Sequence, residues 1–346
     1  MSDRGKFGTE ELAMVLSHYD LGVINTIKEY ARGSRKAPKL LLRAEKGDYL
    51  LKRRARGKDD PFKVAFCHAI QLYLAEKQFP LPHLIGTKRE NNSMLQLDNS
   101  IYELFEYIRG TSYDSSPEAT QDSGRILALY HKLLRDYTPE YEPPVGSYHN
   151  SRHIGSSIDQ IPVTFSRESV ASSPAKPVTA TLEVLRAAYV QAAEKVNTLG
   201  LPDWPLQIVH CDWHPGNMLF RHQKVVAVID YDSARLQQRV IDLANGVLQF
   251  SIIGGGDDPG TWPDHVDETR FIRFMHGYDS VDIISVAELQ TIPWLMIEAM
   301  VAESAFHIAA TGSFGRIEGV GFLKMIERKV KWVQEHTDRL LNLIHS

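Results

Sequence analysis

Residues 207–234 read QIVHCDWHPGNMLFRHQKVVAVIDYDSA: two β-like runs, Gln207 to His210 and Val225 to Ile229, flank a polar loop. Asp212 is followed five positions later by Asn217, and Asp230 lies thirteen positions beyond that, at a strand end. Phosphoryl transfer needs few parts: a carboxylate for the attacking hydroxyl, oxygen ligands for Mg²⁺, and a cation on the nucleotide phosphates. Hard Mg²⁺ takes carboxylate and amide oxygens. A loop of H-x-D-x-x-x-x-N form places Asp212 beside an acceptor hydroxyl and returns Asn217 to the metal. The second run delivers Asp230 to the same ion, and His210 braces the loop by hydrogen bonds. On the residues alone, other readings stay open. Asp212 and Asn217 also suit turn caps, and Asp230 suits a strand end. His210, Asp212 and His214 would serve a metal hydrolase if they held ligand spacing around an open site. The same residues can also persist in a nucleotide-binding chain without turnover.

HCDWHPGN followed by IDYD closely resembles the motif of the aminoglycoside phosphotransferase and choline kinase superfamily, H-G-D-x-x-x-x-N followed by I-D-x-x. The resemblance implies an α+β, two-lobed protein-kinase-like fold. Residues 1–109 would form a small nucleotide-binding lobe with an antiparallel sheet, and 110–346 a larger, mainly helical lobe for catalysis and acceptor binding. It further implies ATP and Mg²⁺ as cofactors, Asp212 as the catalytic aspartate, Asn217 and Asp230 as metal ligands, and Asp242 as a structural aspartate. Cys211 stands where glycine is usual in that family, so the local geometry must tolerate a small side chain. A protein kinase is a poorer match, because the HRD arginine, the DFG triplet and an APE-like segment are all missing.

Working toward the N-terminus, Leu40 to Ala44 and Asp48 to Arg53 read as strands joined by Glu45-Lys46-Gly47, a hairpin-length turn. The run Tyr49-Leu50-Leu51-Lys52 matches the lysine strand of the fold, so Lys52 would hold the α- and β-phosphates. The loop Arg32 to Pro38, with Gly33 and Ser34, occupies the nucleotide-loop position by order along the chain. From Pro61 to Gln78 apolar residues recur three and four apart, the mark of an amphipathic helix. The family often places a glutamate in this helix to pair with the lysine. Here the only acid is Glu76, too late, and His68 or Ala69 stands near the expected place. Ile101 to Ile108 is a strand candidate running into a hinge at Arg109-Gly110, where backbone groups of Glu106, Tyr107 and Ile108 would meet the adenine edge. Tyr19-Asp20-Leu21, the run YLLKRRARG, the acid-poor helix and PLPHLIGTKRE are similar in texture to the CotS-like spore-coat and type II homoserine kinase branches.

Toward the C-terminus the chain turns helical. Gln121 to Arg135, Thr181 to Leu199, Pro293 to Thr311 (proline in its first turn) and Gly321 to Ile344 read as helices. Residues 137–177, rich in Ser, Pro, His and Tyr, read as an ordered insertion or loop. Trp294 and Glu298, four apart on one face, suit a cationic amine. Arg152 in the cluster Tyr148 to His153 suits an anionic group. The two point to opposite substrate charges, so homoserine-, choline- and aminoglycoside-like acceptors all remain.

The 346 residues are ample for two lobes, and 43% hydrophobic with 24% charged residues is ordinary for a globular core. A net charge of -4 gives no reason to expect nucleic acid or an anionic membrane surface as partner. Two separated cysteines, Cys67 and Cys211, argue for reduced thiols rather than a disulfide framework. The first twenty residues lack the apolar segment of a signal peptide, and no stretch reaches the roughly 18 apolar residues of a bilayer span. A cytoplasmic small-molecule kinase is the expectation, with a turnover-free nucleotide-binding or coat protein as the alternative.

Overall fold

The computed structural model describes residues 5–31, 33, 36–168 and 176–344. In chain order, α1 (Thr9–Ser17), β1 (Ile24–Glu29), β2 (Lys39–Ala44), β3 (Gly47–Arg53), α2 (Pro61–Glu76), β4 (Leu95–Leu97) and β5 (Ser100–Glu106) come first. Helices α3 (Pro117–Leu134), α4 (Arg152–Glu168) and α5 (Lys176–Thr198) follow. Then come β6 (Leu206–Val209), β7 (Met218–Arg221), β8 (Lys224–Val228), β9 (Arg235–Gln238), α6 (Arg239–Ser251), α7 (Glu268–Asp279) and α8 (Val286–Thr311). A two-residue-per-strand hairpin, β10 (Ser313–Phe314) and β11 (Ile317–Glu318), precedes α9 (Gly319–Glu335) and α10 (Thr337–Ile344). The chain divides into two compact units: Met1–Tyr113 with Tyr137–Pro143 and Gly216–Ala234, and Asp114–Asp136 with Pro144–Pro215 and Arg235–Ser346.

The first unit is built on an antiparallel sheet of order β1-β2-β3-β5-β4. Strand alternation decides which residues face which helix. Tyr49 and Leu51 of β3, with Tyr102 and Leu104 of β5, pack against Val15 and Tyr19 on one face. The alternate residues, Lys52 and Glu103, therefore share the opposite face and stand directly across from each other in the β3–β5 register. Ile101, on that same face, packs with Val64 of α2 and Met94. Helix α2 starts where Asp60 accepts the N–H groups of Phe62 and Lys63 at 2.9 and 3.3 Å, with Pro61 in its first turn. The β7–β8 hairpin belongs to this unit as well, and Thr111 exchanges backbone bonds with Phe220 at 2.8 and 2.9 Å.

In the second unit β6 pairs with β9, so the two short runs expected around the motif loop each find a different partner strand. Helices α3 and α7 come into backbone contact through glycines: a Cβ on Gly124 would lie 2.0 Å from the Phe274 carbonyl oxygen, and one on Gly277 1.9 Å from that of Gln121. Helix α8 begins at Val286, seven residues before the expected start. Ser285 and Glu288 form a capping box there (Glu288 N–H to Ser285 Oγ, 3.2 Å; Ser285 N–H to Glu288 Oε2, 2.9 Å), which leaves Pro293 in the helix interior. By length and apolarity α8 would pass for a bilayer span, but 72% of its apolar window is buried within the protein. It is a core helix. The expected helix over 321–344 is broken at His336 into α9 and α10, and the expected insertion at 137–177 contains α4.

Candidate active site

Lys52 finds its acid on a strand. Its Nζ is 3.3 Å from Glu103 Oε2, and Arg54 donates to Glu103 Oε1 at 2.7 Å and to Asp232 Oδ1 at 2.8 Å. His68 stands near the α2 position where the family often keeps a glutamate, and its Nε2 lies 2.8 Å from the same Glu103 oxygen. The acid that pairs with Lys52 stands on β5, and the helix contributes the imidazole that steadies it. Burial works against the Glu103 carboxylate, but the Lys52 charge, the His68 bond and the Arg54 charge hold it far below the usual carboxylate range. Burial likewise works against the Lys52 ammonium, and the Glu103 and Asp232 charges more than offset it. Of the two arginines that follow Lys52, Arg53 turns to Glu11 at 2.5 Å and Arg54 is committed to its two carboxylates.

Asn217 and Asp230 are held next to each other by the backbone. The N–H of Ile229 donates to the carbonyl of Asn217 at 2.9 Å, one residue before Asp230. Asp230 itself is exposed, adopts φ +67°, and its carboxylate has no hydrogen-bond or ion-pair partner among the described residues. Its charge acts on Lys52, which places it on the lysine side of this unit. Asp232, two residues on, is taken up by Arg54 and Cys67 Sγ donates to the carbonyl of Tyr231 at 3.3 Å, so the IDYD segment is pinned to β3 and α2. An uncommitted carboxylate, in a segment that the Ile229–Asn217 backbone bond ties to Asn217, fits Mg²⁺, which takes one or two protein oxygens and fills its shell with phosphate and water.

In the second unit the motif loop hangs from Asp242. This fully buried carboxylate accepts the N–H of His210 at 2.8 Å and of Cys211 at 2.9 Å, and His131 Nε2 lies 3.2 Å away. Burial would raise its pKa, and the bond and charge of His131 lower it below the usual value. Cys211 sits at φ +61°, the left-handed region that explains glycine at this place in the family. Gln237 donates to its Sγ at 2.9 Å. His210 is buried, its Nδ1 takes the Asp212 N–H at 3.3 Å, and Trp213 packs edge-on to its ring with centroids 5.3 Å apart. Asp212 is left half-exposed at the loop, with His214 Nε2 3.6 Å from its Oδ1. Among the described residues no three histidine, cysteine or acidic side chains gather into a metal-ligand cluster, and that set is what a hydrolase reading requires.

Of the hinge candidates, the Glu106 N–H donates to His83 O at 2.8 Å and the Tyr107 N–H to Asp48 O at 2.9 Å. The Ile108 N–H has no partner among the described residues and is the open donor of the three. Gly33 has φ +81° in the connection between β1 and β2, while Ser34 lies outside the described residues.

The acceptor candidates resolve differently. Glu298 is fully buried and satisfied: His149 Nδ1 is 2.8 Å from its Oε1, and the Asn150 N–H donates to its Oε2 at 2.9 Å. The Tyr148–His153 cluster and Glu298 are therefore one structural brace, and Arg152 is exposed at the first residue of α4. Glu303, nine positions beyond Trp294 and so turned to roughly the opposite helix face, is held at both oxygens by Gln249 Nε2 at 2.9 and 3.0 Å. Its signal was the spacing Asp242, Asn245, Gln249, which sets three polar residues on one face of α6.

Residues 26–262 match the phosphotransferase enzyme family. The chain belongs to that family. A homoserine kinase of Methylocella silvestris is 23% identical to this phosphotransferase over 290 residues, 82% of this chain and 80% of that protein. Among solved structures, a microcompartment-associated aminopropanol kinase superposes with a TM-score of 0.70 at 15% identity, covering 96% of this chain and 98% of its own. An amicoumacin kinase determined with AMP-PNP, Ca²⁺ and its antibiotic gives a TM-score of 0.66 at 13% identity, covering 95% and 94%. At such identities these likenesses show the fold, the protein-kinase-like α+β fold that the motif implied.

Proposed function

We propose that this phosphotransferase moves the γ-phosphoryl group of Mg-ATP to a hydroxyl of a small molecule. The observation that carries the reading is the Lys52–Glu103 pair, set in the same unit as the uncommitted Asp230 carboxylate and Asn217. Along the chain, residues 1–109 are the nucleotide-binding lobe, to which the segment 216–234 adds the metal ligands, and the remainder of 110–346 is the catalytic and acceptor-binding lobe. Lys52 steadies the α- and β-phosphates, and the Ile108 N–H meets the adenine edge near Glu106 and Tyr107. Asn217 and Asp230 would hold Mg²⁺, which would supply charge neutralisation at the nucleotide phosphates.

Asp212 orients the acceptor hydroxyl and accepts its proton. The new oxygen–phosphorus bond forms as the bond from the γ-phosphorus to the bridging oxygen breaks, and ADP leaves with that electron pair. Catalysis is positioning and charge neutralisation. The rival reading, a nucleotide-binding or coat protein without turnover, rests on the missing helix glutamate and on a nucleotide loop with a single glycine; Glu103 answers the first by pairing with Lys52. A cytoplasmic setting, where ATP is made available and Cys67 and Cys211 stay reduced, accords with this role.

Calorimetric titration with Mg-ATP tests the nucleotide half. The wild-type chain binds, and Asp230→Ala weakens binding about tenfold or more through loss of a charged ligand. A wild-type chain that ignores Mg-ATP, or an Asp230→Ala variant that binds equally well, counts against the assignment.

A further inference from the structure

Asp242, Asn245 and Gln249 are spaced by three and four residues on α6, which at about 100° per residue sets them within an arc of about 60°. Asp242, at one end of this row, suspends the backbone that leads into Asp212. Gln249, at the other end, spends its amide N–H groups on both oxygens of Glu303. Between them Asn245 is only 8% exposed, and its Oδ1 is buried with no hydrogen-bond partner. Burial pushes the Glu303 carboxyl up to about 7; the Gln249 bond and the charge of His307 restrain the rise, and the Asp212 charge adds to it. Asp212 and Glu303 are thus electrostatic neighbours, and no lysine or arginine pairs with Glu303 among the described residues. The Tyr148 hydroxyl, close enough to feel Glu303 and Glu298, is already spent on the Ile241 carbonyl at 3.0 Å.

What this region offers a ligand is a set of acceptors: a carboxylate, an orphaned amide oxygen and the catalytic carboxylate. The buried Asn245 oxygen without a donor costs free energy, and a molecule that brings a donor recovers it. The anion-binding candidate, Arg152, is exposed on α4, while Arg235, whose charge reaches Cys211, is engaged within the protein. We propose that Glu303 and Asn245 form the acceptor subsite and select a cationic amino alcohol that carries no carboxylate. Glu303 takes the ammonium, Asn245 Oδ1 takes a further N–H or O–H, and the hydroxyl is presented to Asp212. The inference rests on the phosphotransferase reading and narrows its acceptor class.

The test is calorimetric titration of the full chain at pH 8 with ethanolamine, 1-amino-2-propanol, homoserine and 1,2-propanediol, each beside a Mg-ATP titration. The two amino alcohols are expected to bind at least about tenfold tighter than homoserine or the diol. Glu303→Gln should erase that preference, Glu303→Asp should retain most of it, and both should bind Mg-ATP as wild type does. The wild-type order of affinities decides the matter even if a variant fails to fold. Homoserine or the diol binding as tightly as the amino alcohols overturns the proposal, as does an unchanged preference in folded Glu303→Gln. Amino-alcohol binding without Mg-ATP binding would instead contradict the phosphotransferase reading and leave the amine subsite standing.

Discussion

Glu103 stands opposite Lys52 in the β3–β5 ladder, its Oε2 3.3 Å from the lysine Nζ, while its other oxygen is shared by Arg54 and His68. One carboxylate thus compensates two cations in a buried place. Glu103→Ala strands both and should cost about 3–5 kcal/mol of stability, read as a loss in denaturant midpoint. Its pKa is depressed in the folded chain, so its contribution is fully present above the unfolded value of 4.5 and disappears as pH falls through the folded one. The stability gap between wild type and Glu103→Gln should therefore be widest above about pH 5 and close toward acid.

Lys52→Ala should leave fold and acceptor affinity intact while weakening Mg-ATP binding by about 1.5–3 kcal/mol, roughly 10- to 100-fold. The same change at Arg53, which faces Glu11, should leave the nucleotide affinity unmoved. Equilibrium titrations of the two variants side by side separate the phosphate cation from its neighbours in the basic run.

Glu303 should show the reverse pH behaviour from Glu103. With its folded pKa raised to about 7 against an ordinary 4.5, the folded chain holds a proton that the unfolded chain has lost, so stability falls as pH climbs from about 4.5 to 7. Glu303→Gln removes that penalty. The variant should melt higher than wild type at pH 8, with the difference fading by pH 4.5, although it binds amino alcohols worse. Functional acids held at the expense of stability behave in this way. Melting curves across that pH range are the check.

Gly124→Ala should destabilise the second unit by about 1–3 kcal/mol or more, because the new methyl meets the Phe274 backbone, which has little freedom to retreat. Gly256→Ala, which would meet nothing within 4 Å, is the matched control. Chemical denaturation of both variants tells close helix contact from a general dislike of alanine.

The outline of this molecule was legible because its signals are local. The strand period of Tyr49 to Lys52, the helix period after Pro61 and the HCDWHPGN…IDYD spacing each lie within a short window. What stayed hidden depends on which elements become neighbours. Glu103 reads in sequence as one acid in IYELFEY, and only the strand order that sets β5 beside β3 makes it the partner of Lys52. Glu303 lies on the helix face opposite Trp294, and only the approach of Gln249 on α6, which no local window shows, gives it a partner. Pro293 suggested a helix start, and the capping box that begins at Ser285, eight residues earlier, overrode it. The left-handed backbone at Cys211 shows why glycine is the family habit there, and Gln237 takes up the sulfur of the side chain that replaces it.

In the proposed mechanism Asp212 activates the acceptor hydroxyl. The direct measurement is ADP release by the pure chain with Mg-ATP and a panel of hydroxyl acceptors (amino alcohols, homoserine, choline, sugars, aminoglycosides), run beside Asp212→Ala. The account predicts acceptor-dependent ADP that falls by about 10³-fold or more in the variant, with Mg-ATP affinity in the variant nearly unchanged. Acceptor-dependent turnover that survives Asp212→Ala would contradict it.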